Sequence, residues 1–490
     1  DQFARVLRET DLLPEGGEPR ATHAFFDAVD ANGQPMVQQT MLDTHVDFHF
    51  NLGGIPLIGP GAKVGVVFGA GGEPTALQYA LRKLKPAQDV PVIPLEEAAR
   101  RCARLYPNLQ PSGNPRLVYF APSLLLPAVQ KVIPCYECGG EALVDGKQVS
   151  LLRTLIPATD DPALAPQVKL DAAAQGALVA ARAVVDGGAP PYTYQWLSSS
   201  VDLSSFPANA PSIEYEVQPR AGAATETVRV VVTDANGVQV QAAQTLAITG
   251  GTPALVFLPA VGGVSDYGCE RAVSNMGAGQ QSGFNSRFDS EGVTRRFNWT
   301  GLNAWERDFK EGATGLDSLY ADNADIVFYI GHGYGGGFTF ESSQDDGTLY
   351  YTDAAGAWGD RDLEWLALLS CQVLQDDYAG QKWYQRWGPS FDGLHLLLGF
   401  ETNAHDWPAF GGTFADWVLG RFGFLPAMPV RTSWFLAKWQ QQPAADIAVV
   451  IGVLGPAGCS NYGDYFWGKG PVGPDLRGGD IHGYWRVTYQ

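Results

Sequence analysis

Asp325-Ile-Val-Phe-Tyr-Ile-Gly-His-Gly333 and, further along, Leu363-Glu-Trp-Leu-Ala-Leu-Leu-Ser-Cys371 are the two stretches whose reading decides the fold. Each is a short continuous apolar run that ends on a reactive side chain, His332 in the first and Cys371 in the second. Unbroken rather than alternating apolar character marks a strand covered on both faces, as in the middle of a parallel sheet. Ala254-Leu-Val-Phe-Leu258, bounded by Pro253 and Pro259, reads as a third such strand. In an open parallel α/β sheet, ligands bind beyond the carboxyl ends of the strands, so His332 and Cys371 are expected to converge on one crevice.

That pairing has a chemistry. A cysteine attacks as thiolate, and a nearby imidazole both favours the thiolate and protonates the leaving amine. Gly331 and Gly333 let the backbone turn tightly around His332, and the N–H of Gly333, with that of Cys371, could face a developing oxyanion. Ser370 is a rival nucleophile, but only one of two successive residues at a strand end faces the crevice, and Cys is the better nucleophile. Reading His332-Gly-Tyr-Gly-Gly-Gly337 as the oxyanion loop of an esterase would demand a Gly-x-Ser-x-Gly elbow downstream, which the chain lacks. The bland alternative is a turn histidine and an inert buried thiol.

Apolar strand then His-Gly, followed 39 residues later by apolar strand then Ser-Cys, resembles the caspase, legumain and gingipain group of cysteine peptidases. More closely, Asn303-Ala-Trp-Glu-Arg-Asp-Phe309, Gly331-His-Gly, Leu363-Glu-Trp-Leu, Cys371-Gln, Trp434-Phe and Trp439 resemble a bacterial family of secreted caspase-like proteins. The resemblance implies a three-layer α/β domain, a His332–Cys371 dyad and an oxyanion role for Gly333. It departs from the well-known peptidases at Gln372-Val373, after the cysteine, and no Gln-Ala-Cys-x-Gly occurs. The strand 394–400 delivers Glu401 where related peptidases build their primary specificity pocket, and an acid there would favour Arg or Lys. Asp376 and Asp377 are weaker candidates for that role, and a solvated loop carboxylate is the plain alternative.

Upstream the texture changes. From about Thr159 the chain is rich in Ala, Val, Thr and Gly, and Asn236-Gly237 between two alternating runs is a hairpin signal. Tyr192-Thr-Tyr-Gln-Trp196 supplies the inward aromatic of a β-sandwich, and the stretch resembles the immunoglobulin-like PKD modules of bacterial extracellular proteins. Residues 1–158 read as a small α+β domain with strands at 63–68, 116–120 and 151–155 and helices at 73–83 and 95–105. Gly69-Ala-Gly-Gly72 is followed by Glu73-Pro74-Thr75 where a phosphate loop needs Gly-Lys-Ser/Thr, so nucleotide binding is not expected.

A chain of 490 residues exceeds one ordinary core, and the boundaries fall at 1–158, 159–250 and 251–490. With 33 basic against 52 acidic residues and a net charge of −19, a phosphate backbone would be repelled, which excludes nucleic acid as a partner. No apolar run approaches the roughly 20 residues of a spanning helix, so no membrane insertion is expected. The chain opens at Asp1 without Met, as after removal of a signal peptide, which fits a secreted or cell-surface protein. Six cysteines are too few for a disulfide scaffold, but Cys102, Cys135 and Cys138 fall near one another in sequence, two of them could be bridged, and one or two bridges are expected. Cys135-Tyr-Glu-Cys138 has no second pair to complete a zinc site, leaving a local disulfide or inert thiols. His45-Val-Asp47-Phe-His49 would put two imidazoles and a carboxylate on one strand face, a metal pair in chemistry but by default a wet face. Acidic loops at 343–347 and 360–362 could hold calcium, though no EF-hand spacing appears, and no other cofactor is implied. The many Trp read as core rather than as a carbohydrate platform.

The expectation is therefore a multidomain, exported cysteine peptidase acting on peptides or proteins. It comprises an α+β N-terminal domain serving as prodomain, a β-sandwich and a caspase-like α/β domain. The alternative is a non-catalytic surface or binding protein on the same scaffold.

Overall fold

The computed structural model describes residues 2–490 except 11, 14, 15, 107, 108, 127, 145, 202, 204, 205, 218–224, 250–271, 278–282, 313, 343, 344, 408 and 422–424. The strand expected at 254–258, and Cys269, lie outside the described residues. The chain is β-rich and built from several sheets.

The N-terminal region runs α1 (Gln2–Glu9), β1 (Glu18–Asp30), β2 (Pro35–Leu52), β3 (Ile55–Ile58), β4 (Ala62–Phe68), β5 (Pro74–Leu81), α2 (Leu95–Ala103), β6 (Arg116–Phe120), β7 (Pro134–Val144) and β8 (Lys147–Pro157). The helix expected at 73–83 is instead β5, antiparallel to β4 with Gly65 opposite Gln78. Ala-Leu-Gln-Tyr-Ala-Leu has good helix propensity, but the buried neighbour β4 offers a ladder that local preference cannot outweigh.

The middle region contains β9 (Gln167–Gln175), β10 (Leu178–Asp186), β11 (Thr193–Ser198), β12 (Ser212–Glu216), β13 (Thr225–Thr233) and β14 (Gln239–Ala247). They form two three-stranded sheets, β12-β10-β9 and β11-β13-β14. Alternating residues Val179, Ala181 and Ala183 of one and Trp196, Val228, Val230 and Val232 of the other share one apolar cluster. Asn236 and Gly237 make the turn from β13 to β14, with Gly237 at φ 76°.

The C-terminal region runs β15 (Ala272–Gly277), α3 (Phe284–Asp289), β16 (Thr294–Thr300), β17 (Ile326–Ile330), β18 (Gly333–Tyr334), β19 (Gly337–Thr339), β20 (Thr348–Tyr350), β21 (Trp365–Leu369), β22 (Asp377–Tyr378), β23 (Gln381–Lys382), α4 (Trp383–Trp387), β24 (Leu396–Phe400), α5 (Phe410–Leu419), α6 (Val430–Gln441), β25 (Ala448–Leu454) and β26 (Gly483–Tyr489). Strands β16, β15, β17, β21 and β24 lie side by side and parallel, and β25 and β26 continue the sheet antiparallel.

Every residue of β17, β21 and β24 is buried. Ile326, Phe328, Ile330, Trp365, Ala367, Leu369, Leu396, Leu398 and Phe400 enter one core, shared with α3, α5 and α6. Val327, Tyr329, Leu366, Leu368 and Leu397 enter a second core on the other face, with Trp358 and Trp387. Helices α3, α5 and α6 on one side and α4 with short strands and turns on the other thus sandwich the sheet, which is why these segments read as unbroken apolar runs. Trp383, Trp387, Trp407 and Trp434 are buried, as the core reading expects.

Two ladders join the N- and C-terminal regions. β26 pairs antiparallel with β1, so the C-terminal sheet continues through β1 into β2, β4 and β5. A second sheet runs β3-β6-β7-β8 and meets β18 where Gly333 pairs with Ser150. Cys102 of α2 is bridged to Cys138 of β7, while Cys135 is a free, buried thiol; the local Cys135–Cys138 bridge is therefore not formed. On a strand, residues three apart point to opposite faces, so Cys135 and Cys138 cannot meet.

Candidate active site

His332 lies two residues beyond Ile330 of β17, and Cys371 two residues beyond Leu369 of β21. Ile330 and Leu369 are direct partners in the parallel ladder, and the N–H of Gly331 donates to the carbonyl of Leu369 at 3.2 Å. Both partners feed the helix-covered core, so His332 and Cys371 leave the sheet at the same level and with the same alternation. A Cβ added to Gly333 would collide with Ser370 Oγ and sit 2.8 Å from the carbonyl oxygen of Cys371. The loop after β17 therefore abuts the loop after β21. Arg386 of α4 ties them further, donating to the carbonyls of Gly335 and Gln375. Gln372, next to the cysteine, adopts φ 59°, a left-handed conformation costing a non-glycine residue on the order of 1 kcal/mol.

The two side chains are nevertheless engaged elsewhere. Cys371 is fully buried; its sulfur accepts the Ala404 N–H at 3.3 Å and lies 3.8 Å from the Ala404 carbonyl. Burial pushes its pKa up to about 12, so the thiol is neutral. His332 accepts the Leu152 N–H at Nδ1, 3.0 Å away, and packs against the ring of Tyr106 at 5.6 Å. Although its side chain keeps partial exposure, its surroundings hold its pKa down to about 4, again through burial. Because Nδ1 accepts, Nε2 carries the proton. Among the described residues no hydrogen bond joins the sulfur to the imidazole.

The element responsible is β8. Ser150 pairs with Gly333, the Leu152 N–H meets His332, the Arg153 N–H donates to the Ala404 carbonyl at 3.1 Å, and the Asp406 N–H donates to the Arg153 carbonyl at 2.8 Å. Leu152 is buried in the same apolar cluster as Cys371 and Ala404. The strand thus lies between the wall after β17 and the wall after β24, above the thiol.

A charge cluster fastens it. His405 is buried, with Nδ1 2.7 Å from Asp446 and Nε2 2.9 Å from Glu137 of β7. Burial alone would lower His405, but the two carboxylates outweigh it and raise its pKa to about 9. Glu137 is buried as well, which would raise it; His405, Arg116 and Arg153 bring it down to about 2. Sequence reading found none of Leu152, His405, Asp446 or Glu137, because their partners are remote in the chain and their types are ordinary.

Glu401 lies at the end of β24, but its carboxylate accepts from buried Arg486 at 2.6 Å and is already matched by a cation of the protein itself. Asp376 pairs with Lys382 at 2.7 Å, and Asp377 lies 3.8 Å from the same ammonium. His45, Asp47 and His49 do not come close enough together to share a cation; His45 Nε2 bonds Asp43 at 2.8 Å, and the strand face expected to be wet buries His45 and Asp47. Among the described residues one group of three acids stands close enough to share a cation, Asp325, Asp362 and Glu364. It lies at the amino ends of β17 and β21, away from the cysteine. No described helix is long and apolar enough to cross a membrane.

Residues 261–489 match a family model described as a domain of unknown function, DUF6345. No curated protein matches the chain.

Proposed function

We propose that this chain is an exported cysteine peptidase or peptidase-like protein of the caspase, legumain and gingipain type, with His332 and Cys371 as its dyad. The observation that carries the reading is the equal register of the two residues beyond partnered Ile330 and Leu369. Adjacent parallel strands run about 4.8 Å apart, so side chains at matching positions past their carboxyl ends come within reach after a rotamer change. Parallel β15, β17, β21 and β24, flanked by helices on one face, support a caspase-like layer, and strain at Gln372 supports a functional turn. The paired sheets of the middle region support an immunoglobulin-like spacer, and the Cys102–Cys138 bridge supports an oxidising, extracellular setting.

In the reaction, the imidazole takes the thiol proton, the sulfur attacks the peptide carbonyl, and the tetrahedral oxyanion draws on N–H groups of the glycine-bounded loop. The imidazolium then protonates the leaving amine, and water releases the acyl group from sulfur.

A second reading, a non-catalytic scaffold, is favoured by the neutral, buried state of Cys371. The two separate on a peptidyl acyloxymethyl ketone series followed by mass mapping. Selective modification of Cys371, lost in Cys371→Ala together with peptide cleavage, supports the peptidase. A folded protein whose Cys371 stays unmodified after β8 is loosened supports the scaffold.

A further inference from the structure

The channel above Cys371 is filled by an extended strand of the chain itself. We infer that the cleft between Gly333 and the segment Ala404–Asp406 is a binding site for a peptide in β-conformation, and that Ser150–Arg153 of β8 occupies it as an internal stand-in.

Four observations meet here. The strand is held through its backbone by both walls: Gly333 pairs with Ser150, and Arg153 exchanges two main-chain hydrogen bonds with Ala404 and Asp406. Recognition by main-chain ladders is how a sheet edge takes an extended peptide. Second, Leu152 is buried in the same apolar cluster as Cys371, Ala404 and the strand ends, so this position of the strand accepts an apolar residue. Third, the imidazole that would activate the thiol is capped by the N–H of Leu152. Fourth, the strand is pinned in place through its carbonyls: that of Leu152 accepts from the Tyr106 hydroxyl at 2.8 Å and that of Arg153 from the Asp406 N–H.

Further restraints on β8 come from β7, from α2 and from the Ala404–Asp406 wall itself. Arg153 pairs with Glu137, Glu137 with His405, and the Cys102–Cys138 bridge holds α2, with Tyr106 just beyond it, against β7. Withdrawal of β8 would leave both walls with unpaired main-chain groups, which an extended peptide with a leucine-like residue at the position of Leu152 would satisfy. The inference rests on the peptidase reading for its meaning, not for its test.

The experiment follows iodoacetamide modification of Cys371 in the full oxidised chain by peptide mass mapping, with partly exposed Cys459 as internal reference. Tyr106→Phe and Leu152→Ala are compared with the parent after hydrogen exchange confirms that β17 and β21 remain protected. Modification of Cys371 relative to Cys459 should rise by roughly tenfold or more as local opening becomes easier. The hexapeptide Ser-Leu-Leu-Arg-Thr-Leu, matching residues 150–155, should slow it again. Variants whose β8 exchanges faster while Cys371 reacts at the parent rate, or reaction indifferent to the hexapeptide, overturn the inference. Fast, peptide-protected modification with no cleavage of any peptide upholds the strand site and removes the peptidase reading.

Discussion

The main-chain N–H of Leu152 donates to Nδ1 of His332 at 3.0 Å, across a sequence separation of 180 residues. One strand of the N-terminal region thereby fixes the tautomer of the histidine that the C-terminal region would use. Most of what can be tested follows from that contact and its neighbours.

His332 should stay neutral to about pH 4 in the folded chain, against an ordinary value of 6.5. A base with a depressed folded pKa contributes stability that is complete above pH 6.5 and is lost as pH falls through 4. Over that window the loss is about 3 kcal/mol if the imidazole stays enclosed. Urea denaturation between pH 7 and pH 4 checks the sign, and His332→Gln should flatten this part of the profile.

His405 has the opposite sign. Its folded pKa is about 9, so its contribution is full below pH 6.5 and is lost as pH rises through 9. His405→Ala removes the imidazolium shared by Asp446 and Glu137, leaving Glu137 with Arg116 and Arg153 only, and should destabilise by about 3 kcal/mol. Chemical denaturation at pH 7 measures it; a change below 1 kcal/mol would show that the charge cluster around His405 does not fasten β8.

Reduction of Cys102–Cys138 opens a loop of sequence separation 36 and should lower stability by about 3–4 kcal/mol on the loop-entropy estimate. Thermal melts with and without reductant read this directly, with Cys102→Ser/Cys138→Ser as the reductant-free control.

Gly333→Ala should be poorly tolerated, because the added methyl meets Ser370 Oγ and the Cys371 carbonyl. Overpacking of this kind typically costs 1–3 kcal/mol. The same change at Gly356, where a Cβ meets nothing within 4 Å, controls for the loss of glycine, though its φ of 72° adds strain of its own.

The sequence by itself determined the strands that end in His332 and Cys371, because complete burial on both faces forces an unbroken apolar run. It also determined the middle region, where alternation and Asn236-Gly237 encode a period of two and a tight turn. It misread 73–83, whose strand state depends on the neighbour β4, and it left open which two of Cys102, Cys135 and Cys138 pair, a choice that strand parity makes. What only the tertiary structure decided is the condition of the site. That the Leu152 N–H caps His332, that Arg486 claims Glu401 and that His405 is held between Asp446 and Glu137 are contacts between segments remote in the chain. Local pattern records which face of a strand is buried; it holds no record of which distant strand does the burying, and that choice sets the protonation of both the thiol and the imidazole.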